Sequence, residues 1–371
     1  VGAFAKAKTG AARLAAALRI SKAKPDAAAV AKALAGAWAW PADAAKGKPV
    51  TWTQTGPDAK ERTVHAFAPA SYTPEKAWPL LVYLHGGVSA ERDGSGESGL
   101  RMFAEEADEK GFLILSPSTQ PEATWWDPAG VVYLRQTLRE MATRYHVDPD
   151  RIAVTGFSDG GSGCFHLLAH DPSPFACFLP MMGNPLVTRI FGGPTWSTNL
   201  ASRPTYAVNG GQDQLYPSPR MKPFIDEMID GGADLQWVDE PTAGHEPSFL
   251  QRRWEEMHTW WADHARIALP KEIRWVSSLP EHTGRFAWVE IRALRAEAPS
   301  ATDIAAPVEL GLPPPNPRPR LGIVLDLEAG GPGLTIKEVQ EGTPAEAAGM
   351  KAGDVIVAVG EDDLGEDPRA S

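Results

Sequence analysis

Ile152-Ala-Val-Thr-Gly156-Phe-Ser158-Asp-Gly160-Gly161 decides the fold. A short apolar run of strand character leads straight into G-x-S-x-G, and a helix-compatible stretch follows. A sharp strand-to-helix turn forces the serine into a strained backbone, and its near neighbours must then be tiny. The hydroxyl projects above the sheet, and the amino end of the next helix faces it. Ser158 is the candidate nucleophile. Ser162 also lies between glycines, but no strand feeds it, so it reads as a helix residue.

The flanking chain supplies the matching architecture. Apolar runs at Leu80–Leu84, Phe112–Leu115, Ile152–Thr155, Phe178–Pro180, Tyr206–Val208 and Leu235–Val238 alternate with helical periods. Val131, Leu134, Leu138, Met141 and Tyr145 fall on one helix face. Met221, Phe224, Ile225 and Met228 form a second such face, and Leu250, Trp254, Met257 and Trp261 a third. Strands alternating with helices predict an α/β fold with a mostly parallel sheet covered on both sides. Ligands of such sheets sit at the carboxyl ends of the strands.

An activated serine needs a base, and the base needs an orienting acid. On this architecture they follow in the order Ser, acid, His. Asp213 comes after the strand at Tyr206 and the turn Asn209-Gly-Gly-Gln. His245 comes after the strand at Leu235, in Thr242-Ala-Gly-His245. The intervals, 213 − 158 = 55 and 245 − 213 = 32, leave room for each residue to land past a strand end on one sheet edge. Asp226 falls mid-helix and Asp239 lies too close to His245. His258 and His264 fall within the last amphipathic helix. His166 and His170 have i, i+4 spacing but no suitably spaced third ligand, so no metal is expected. Oxyanion donors are expected from the backbone N–H of Asp159 and from His85-Gly86-Gly87-Val88, specifically Gly87 and Val88.

Leu84-His-Gly-Gly87, Gly156-Phe-Ser-Asp-Gly160, Asp213 and His245 together resemble the α/β-hydrolase superfamily, over roughly residues 50–270. Within it the chain looks most like the feruloyl esterase, polyhydroxybutyrate depolymerase and predicted peptidase group. That resemblance implies a serine carboxylic-ester hydrolase with no metal or organic cofactor, acting on small or polymer-linked esters, aromatic or polysaccharide-bound ones included. A serine peptidase on the same triad is the alternative. Many secreted members carry several disulfides, whereas this chain has two cysteines. Cys164 and Cys177 read as buried free thiols or as a bridged pair. Trp125 and Trp126 follow the strand at Phe112 and are candidates for a substrate wall, as is Tyr216.

Pro313-Pro-Pro-Asn-Pro317-Arg-Pro319 reads as a semi-rigid linker. Beyond it, Leu321-Gly-Ile-Val-Leu325, Gly342-Thr-Pro344 and Gly353-Asp354-Val-Ile are similar to bacterial PDZ domains. In that family Leu321, Gly322 and Ile323 would offer N–H groups to a peptide carboxylate. The second helix and last strand of that family are expected to be missing before Ser371, leaving a partial unit. A scaffold protein with an inert hydrolase domain is therefore a third reading. PDZ-like units on bacterial hydrolases suggest a secreted or periplasmic setting.

The expected organisation is a helical extension at 1–48, a catalytic domain at 49–270, an appendix and linker at 271–319, and the partial PDZ-like unit at 320–371. Within the extension, Ala11–Ile20 and Ala27–Trp40 favour helix, read as structural rather than as membrane- or partner-binding. Ile273–Val276 and Phe286–Ile291 are expected added strands. The 371 residues carry 36 Lys+Arg against 47 Asp+Glu, a net charge of −11. That balance argues against nucleic acid and anionic membranes as partners. No apolar run approaches a spanning helix.

Overall fold

The structure is a computed structural model. It describes residues 40–88, 94–193, 195–268 and 270–277 continuously, with short segments within 15–30, 285–291 and 323–363. The expected N-terminal helices lie mostly outside the described residues; 15–16, 19–20, 22–23 and 29–30 are helical. The chain divides into two compact units, Val1–Ala298 and Pro299–Ser371.

The first unit is built on eight strands: β1 (Lys48–Thr55), β2 (Glu61–Ala68), β3 (Trp78–Leu84), β4 (Leu113–Pro117), β5 (Val147–Phe157), β6 (Cys177–Met181), β7 (Thr205–Gly210) and β8 (Leu235–Glu240). Their spatial order is β1-β2-β4-β3-β5-β6-β7-β8. From β4 through β8 every neighbouring pair is parallel. The β1–β2 hairpin adds on antiparallel at one edge. After β3 the chain goes to β4 on one side, then returns to β5 on the other. Such a reversal opens a crevice at the carboxyl ends of the two central strands.

Six of the eight strands are announced by apolar runs; β3, β4, β6, β7 and the second half of β5 are buried on both faces, whereas β8 lies at the sheet edge and is largely half-buried or exposed. Leu80, Val82 and Leu84 of β3 enter one core cluster, while Leu81 and Tyr83 enter the other. The first cluster is closed by α2 (Pro128–Arg144), α3 (Asp159–His170) and α6 (Ser218–Asp230), through Leu134, Met141, Phe165, Leu168, Ile225 and Met228. The second is closed by α1 (Glu97–Lys110) and α7 (Leu250–Ala262), through Leu100, Phe103, Trp254, Met257 and Trp261. Two short helices, α4 (Pro185–Phe191) and α5 (Ser197–Leu200), lie between β6 and β7. Cys164 and Cys177 are free and buried, one in each cluster, on opposite sides of the sheet.

Ile273–Val276 is not a strand. The side-chain amide of Asn199 takes the place of a strand partner, accepting from Val276 N at 2.9 Å and donating to its carbonyl at 2.8 Å. Further on, β9 (Arg285–Phe286) and β10 (Val289–Glu290) make a two-residue hairpin. In the second unit β11 (Ile323–Leu325), β12 (Leu334–Val339) and β13 (Val355–Ile356) form an antiparallel sheet, and α8 (Pro344–Ala347) follows β12. A small hairpin of β14 (Ala358–Val359) and β15 (Asp362–Asp363) follows. Leu321 and Gly322 lie outside the described residues; Ile323 opens β11.

One ion pair anchors the hairpin edge. Arg62 on β2 is buried and its guanidinium lies 5.3 Å from the Tyr133 ring. Its fork reaches both carboxylate oxygens of Asp58, at 2.9 and 2.5 Å. The hydrogen bond from Arg62 holds the Asp58 carboxyl down at about 2. A carboxyl depressed in the fold stabilises it above its unfolded value and loses that contribution as pH falls through the folded one. Replacing Asp58 with Asn leaves a buried guanidinium without its counter-ion, and should cost about 3 kcal/mol at neutral pH. Urea unfolding from pH 5 to pH 2 should show wild-type stability falling by about 2 kcal/mol more than that of D58N.

Candidate active site

Ser158 occupies the tip of the turn between β5 and α3 with φ 59° and ψ −120°. That backbone region costs a non-glycine residue about 1–3 kcal/mol and persists only when the surroundings enforce it. Here they do. Ser158 N–H donates to the Met181 carbonyl of β6, and its own carbonyl accepts from Ser162 N, both at 3.0 Å. The helix start is pressed so tightly onto β3 that a Cβ on Gly160 would lie 1.8 Å from the Leu84 carbonyl oxygen. A Cβ on Gly156 would lie 2.5 Å from Gly160 backbone atoms. The two glycines of G-x-S-x-G are thus contact points between β3, β5 and α3.

Asp213 follows β7 and is buried. Its Oδ1 accepts N–H bonds from Leu215 and Tyr216, each 2.8 Å, so a tight turn locks the carboxylate. Its Oδ2 lies 2.7 Å from His245 Nδ1. Burial pushes the Asp213 carboxyl up, but the hydrogen bonds from His245, Tyr216 and Leu215 outweigh it and leave the group below its usual value. An ionised carboxylate only accepts, so the proton of a neutral His245 sits on Nδ1. Nε2 is then an acceptor, and it lies 2.8 Å from Ser158 Oγ. Phe157 and Tyr216 flank the imidazole, ring centroids 5.1 and 5.6 Å away. Burial, then the charges of Asp159 and Asp213, push the Tyr216 hydroxyl up to about 12, so it stays a neutral phenol.

The loop after β3 abuts the serine: a Cβ on Gly86 would lie 2.9 Å from Ser158 Cβ. Gly87 adopts φ +68°, the left-handed region that suits glycine. Val88 does not offer its N–H to the cleft. It donates instead to Asp159 Oδ2 at 3.0 Å, a bond between loop and helix that spacing alone does not reveal. Trp125 is not a substrate wall either. It is 1% exposed, its Nε1 donates to the His85 carbonyl at 2.8 Å, and its Cβ faces Gly163 of α3. Trp126 is only half-buried and stacks on Phe191, centroids 6.4 Å apart. His166 and His170 lie against each other within α3 with tilted rings, centroids 4.3 Å apart. Among the described residues no group of three His, Cys, Asp or Glu is arranged to hold a metal ion.

His85 belongs to the loop from which oxyanion donors are expected, but the sequence assigns no task to its ring. Its Nε2 accepts from Thr119 N at 2.9 Å, which places its proton on Nδ1, 2.8 Å from the Gly86 carbonyl. Burial drives the ring's pKa down to about 4, keeping it neutral. Its position directly before two glycines at a strand end was the available signal.

Sheet order, the β3–β5 crevice and the strained serine between β5 and α3 together specify one fold. Residues 48–262 have the α/β-hydrolase fold, a mostly parallel sheet with helices on both faces. Residues 310–366 match the family model described as PDZ domain. The chain is 26% identical over 174 residues to the bifunctional acetylxylan esterase/xylanase XynS20E of Neocallimastix patriciarum, covering 46% of this chain and 24% of that protein. It is 27% identical over 194 residues to the putative esterase NocK of Nocardia uniformis subsp. tsuyamanensis, covering 50% of each. The chain thus spans about a quarter to a half of these curated relatives. Among solved structures, a fluorophosphonate-binding serine hydrolase, FphF of Staphylococcus aureus, aligns over 59% of this chain and 100% of its own, with 14% identity and TM-score 0.48. Among the described residues no helix of this chain is long and apolar enough to cross a membrane.

The contact between α3 and β3 gives a direct test. Gly160→Ala drives a methyl group into the Leu84 carbonyl, and backbone on both sides must yield. The variant should lower the thermal midpoint by several degrees, about 3 kcal/mol of overpacking. Gly87→Ala, whose Cβ meets no described atom within 4 Å, should cost only about 1 kcal/mol for its left-handed backbone. Thermal unfolding followed by circular dichroism measures both.

Proposed function

We propose that the hydrolase unit cleaves carboxylic esters through a Ser158–His245–Asp213 triad. The observation that carries this reading is the continuous chain of two hydrogen bonds, Ser158 Oγ to His245 Nε2 at 2.8 Å and His245 Nδ1 to Asp213 Oδ2 at 2.7 Å. His245 Nε2 removes the hydroxyl proton as Ser158 Oγ attacks the ester carbonyl carbon. Asp213 holds the imidazole in the required tautomer and stabilises the imidazolium that forms. The Nε2 proton then passes to the leaving alcohol, and an acyl-Ser158 ester remains. Water, deprotonated by the same nitrogen, adds to that ester, and collapse releases the acid and restores the serine.

Negative charge develops on the former carbonyl oxygen during both additions. The N–H groups of Gly87 and Asp159 are the proposed donors; that of Asp159 belongs to the first turn of α3, whose amino end favours negative charge. The Val88 N–H, spent on Asp159, is not among them. Tyr216, whose ring centroid lies 5.6 Å from that of His245, with the exposed Leu215 next to it in sequence, is the proposed apolar surface for a ring-bearing group of the ester. Names of the relatives, an acetylxylan esterase and a putative esterase, support ester rather than amide substrates. Peptide carboxylate binding by the PDZ-matching residues is a separate proposal, resting on the family match alone.

Ser158→Ala should lower kcat/KM for a short p-nitrophenyl ester at least about ten-thousandfold while the thermal midpoint stays or rises. Retained turnover in S158A would refute the assignment. Asp213→Asn presents an N–H where an acceptor is needed, or a carbonyl without charge, and should reduce kcat about ten-thousandfold with little change in KM. Parallel assays on peptide amides should show no comparable turnover.

A further inference from the structure

Each of the three peptide groups in His85-Gly86-Gly87-Val88 is gripped by a different side chain. Trp125 Nε1 donates to the His85 carbonyl at 2.8 Å. His85 Nδ1 donates to the Gly86 carbonyl at 2.8 Å. Asp159 Oδ2 accepts from Val88 N at 3.0 Å. A trans peptide group is planar, with its C=O and N–H opposed. Holding the Gly86 carbonyl therefore sets the direction of the Gly87 N–H, provided the far side of Gly87 is also held. The Val88–Asp159 bond is that second hold.

Packing does not replace it. A Cβ built on Gly87 meets no described atom within 4 Å. Glycine is also the residue with the widest backbone freedom, and Gly87 stands in the left-handed region. Two hydrogen bonds on either side of a permissive residue are what keep its N–H aimed. Asp159 is also the residue directly after Ser158, at the start of α3, so this bond ties the loop after β3 to the turn that carries the serine.

We infer that Asp159 is a positioning residue: its carboxylate tethers the Val88 peptide and so aims the Gly87 N–H at the oxyanion formed on Ser158. This rests on the proposed esterase reading. What the Val88 N–H requires of the tether is an acceptor oxygen at the position of Asp159 Oδ2, whether or not that oxygen carries a charge. Asparagine, which retains an acceptor oxygen on a side chain of equal length, should therefore substitute, and alanine should not.

The test compares wild type, Asp159→Asn, Asp159→Ala and Ser158→Ala on one p-nitrophenyl ester. D159A should lose roughly tenfold to a hundredfold in kcat, the scale of a misaimed donor. Its KM should stay within about threefold, because the lost interaction belongs to the transition state. D159N should recover most of kcat. Equal kcat in D159A and wild type would overturn the inference, as would D159N being as slow as D159A, or a change in KM alone. Amide hydrogen exchange of the segment holding Val88 reads the tether without needing turnover. Exchange should be slow in wild type and D159N and faster in D159A; rapid exchange in wild type would overturn it. If S158A keeps its turnover, the esterase reading itself falls. If S158A is inactive and D159A is fully active, only the role of Asp159 falls.

Discussion

The backbone of Ser158 is the constraint on which the rest depends. At φ 59° and ψ −120° the chain reverses from strand to helix within one residue. That reversal aims α3 back across the sheet, so closely that a Cβ on Gly160 would strike the Leu84 carbonyl and one on Gly161 the Met181 carbonyl. Strain of this kind survives only in a rigid frame. The frame here is three parallel strands, β3, β5 and β6, with both faces buried, and a helix whose residues from Gly160 to His170 are all buried. A surface helix could shift to relieve the turn; this one has nowhere to go.

The same frame brings the other groups into place without further strain. Strands running parallel end on one edge, so the loops after β3, β5, β7 and β8 converge there. The reversal of strand order between β3 and β5 opens the crevice into which Gly86 and Ser158 project. Polar groups in that crevice are held in single protonation states by their partners. Asp213 accepts three hydrogen bonds and is held as the anion. His85 is neutral, with one nitrogen accepting from Thr119 and the other donating to Gly86. Such preorganisation is what electrostatic stabilisation of a transition state requires.

Much of this was legible in the sequence, for a physical reason. Doubly buried strands write continuous apolar runs, and the elbow writes glycines at fixed offsets from its serine. The β1–β2 hairpin escaped because β1 lies at the sheet edge, half exposed, where Thr51-Trp-Thr-Gln54 carries little apolar signal. Ile273–Val276 looked like a strand because strand propensity does not reveal that Asn199 satisfies the backbone at Val276. Trp125 and Trp126 are neighbours with opposite fates: one supports the loop after β3 from below, the other stacks on Phe191 near the surface. Adjacent residues cannot be sorted this way until the turn between strand and helix is seen. The Val88–Asp159 bond joins residues 71 positions apart and leaves no trace in spacing.

The central claim is that Ser158 is a nucleophile activated by His245. Reaction with a fluorophosphonate followed by peptide mass mapping tests it most directly, because phosphonylation needs an activated hydroxyl but no knowledge of the natural ester. A single adduct on the peptide containing Ser158 in wild type, and none at equal exposure in His245→Ala, is the predicted result. An unmodified Ser158 in wild type, or equal labelling in the histidine variant, would contradict the account.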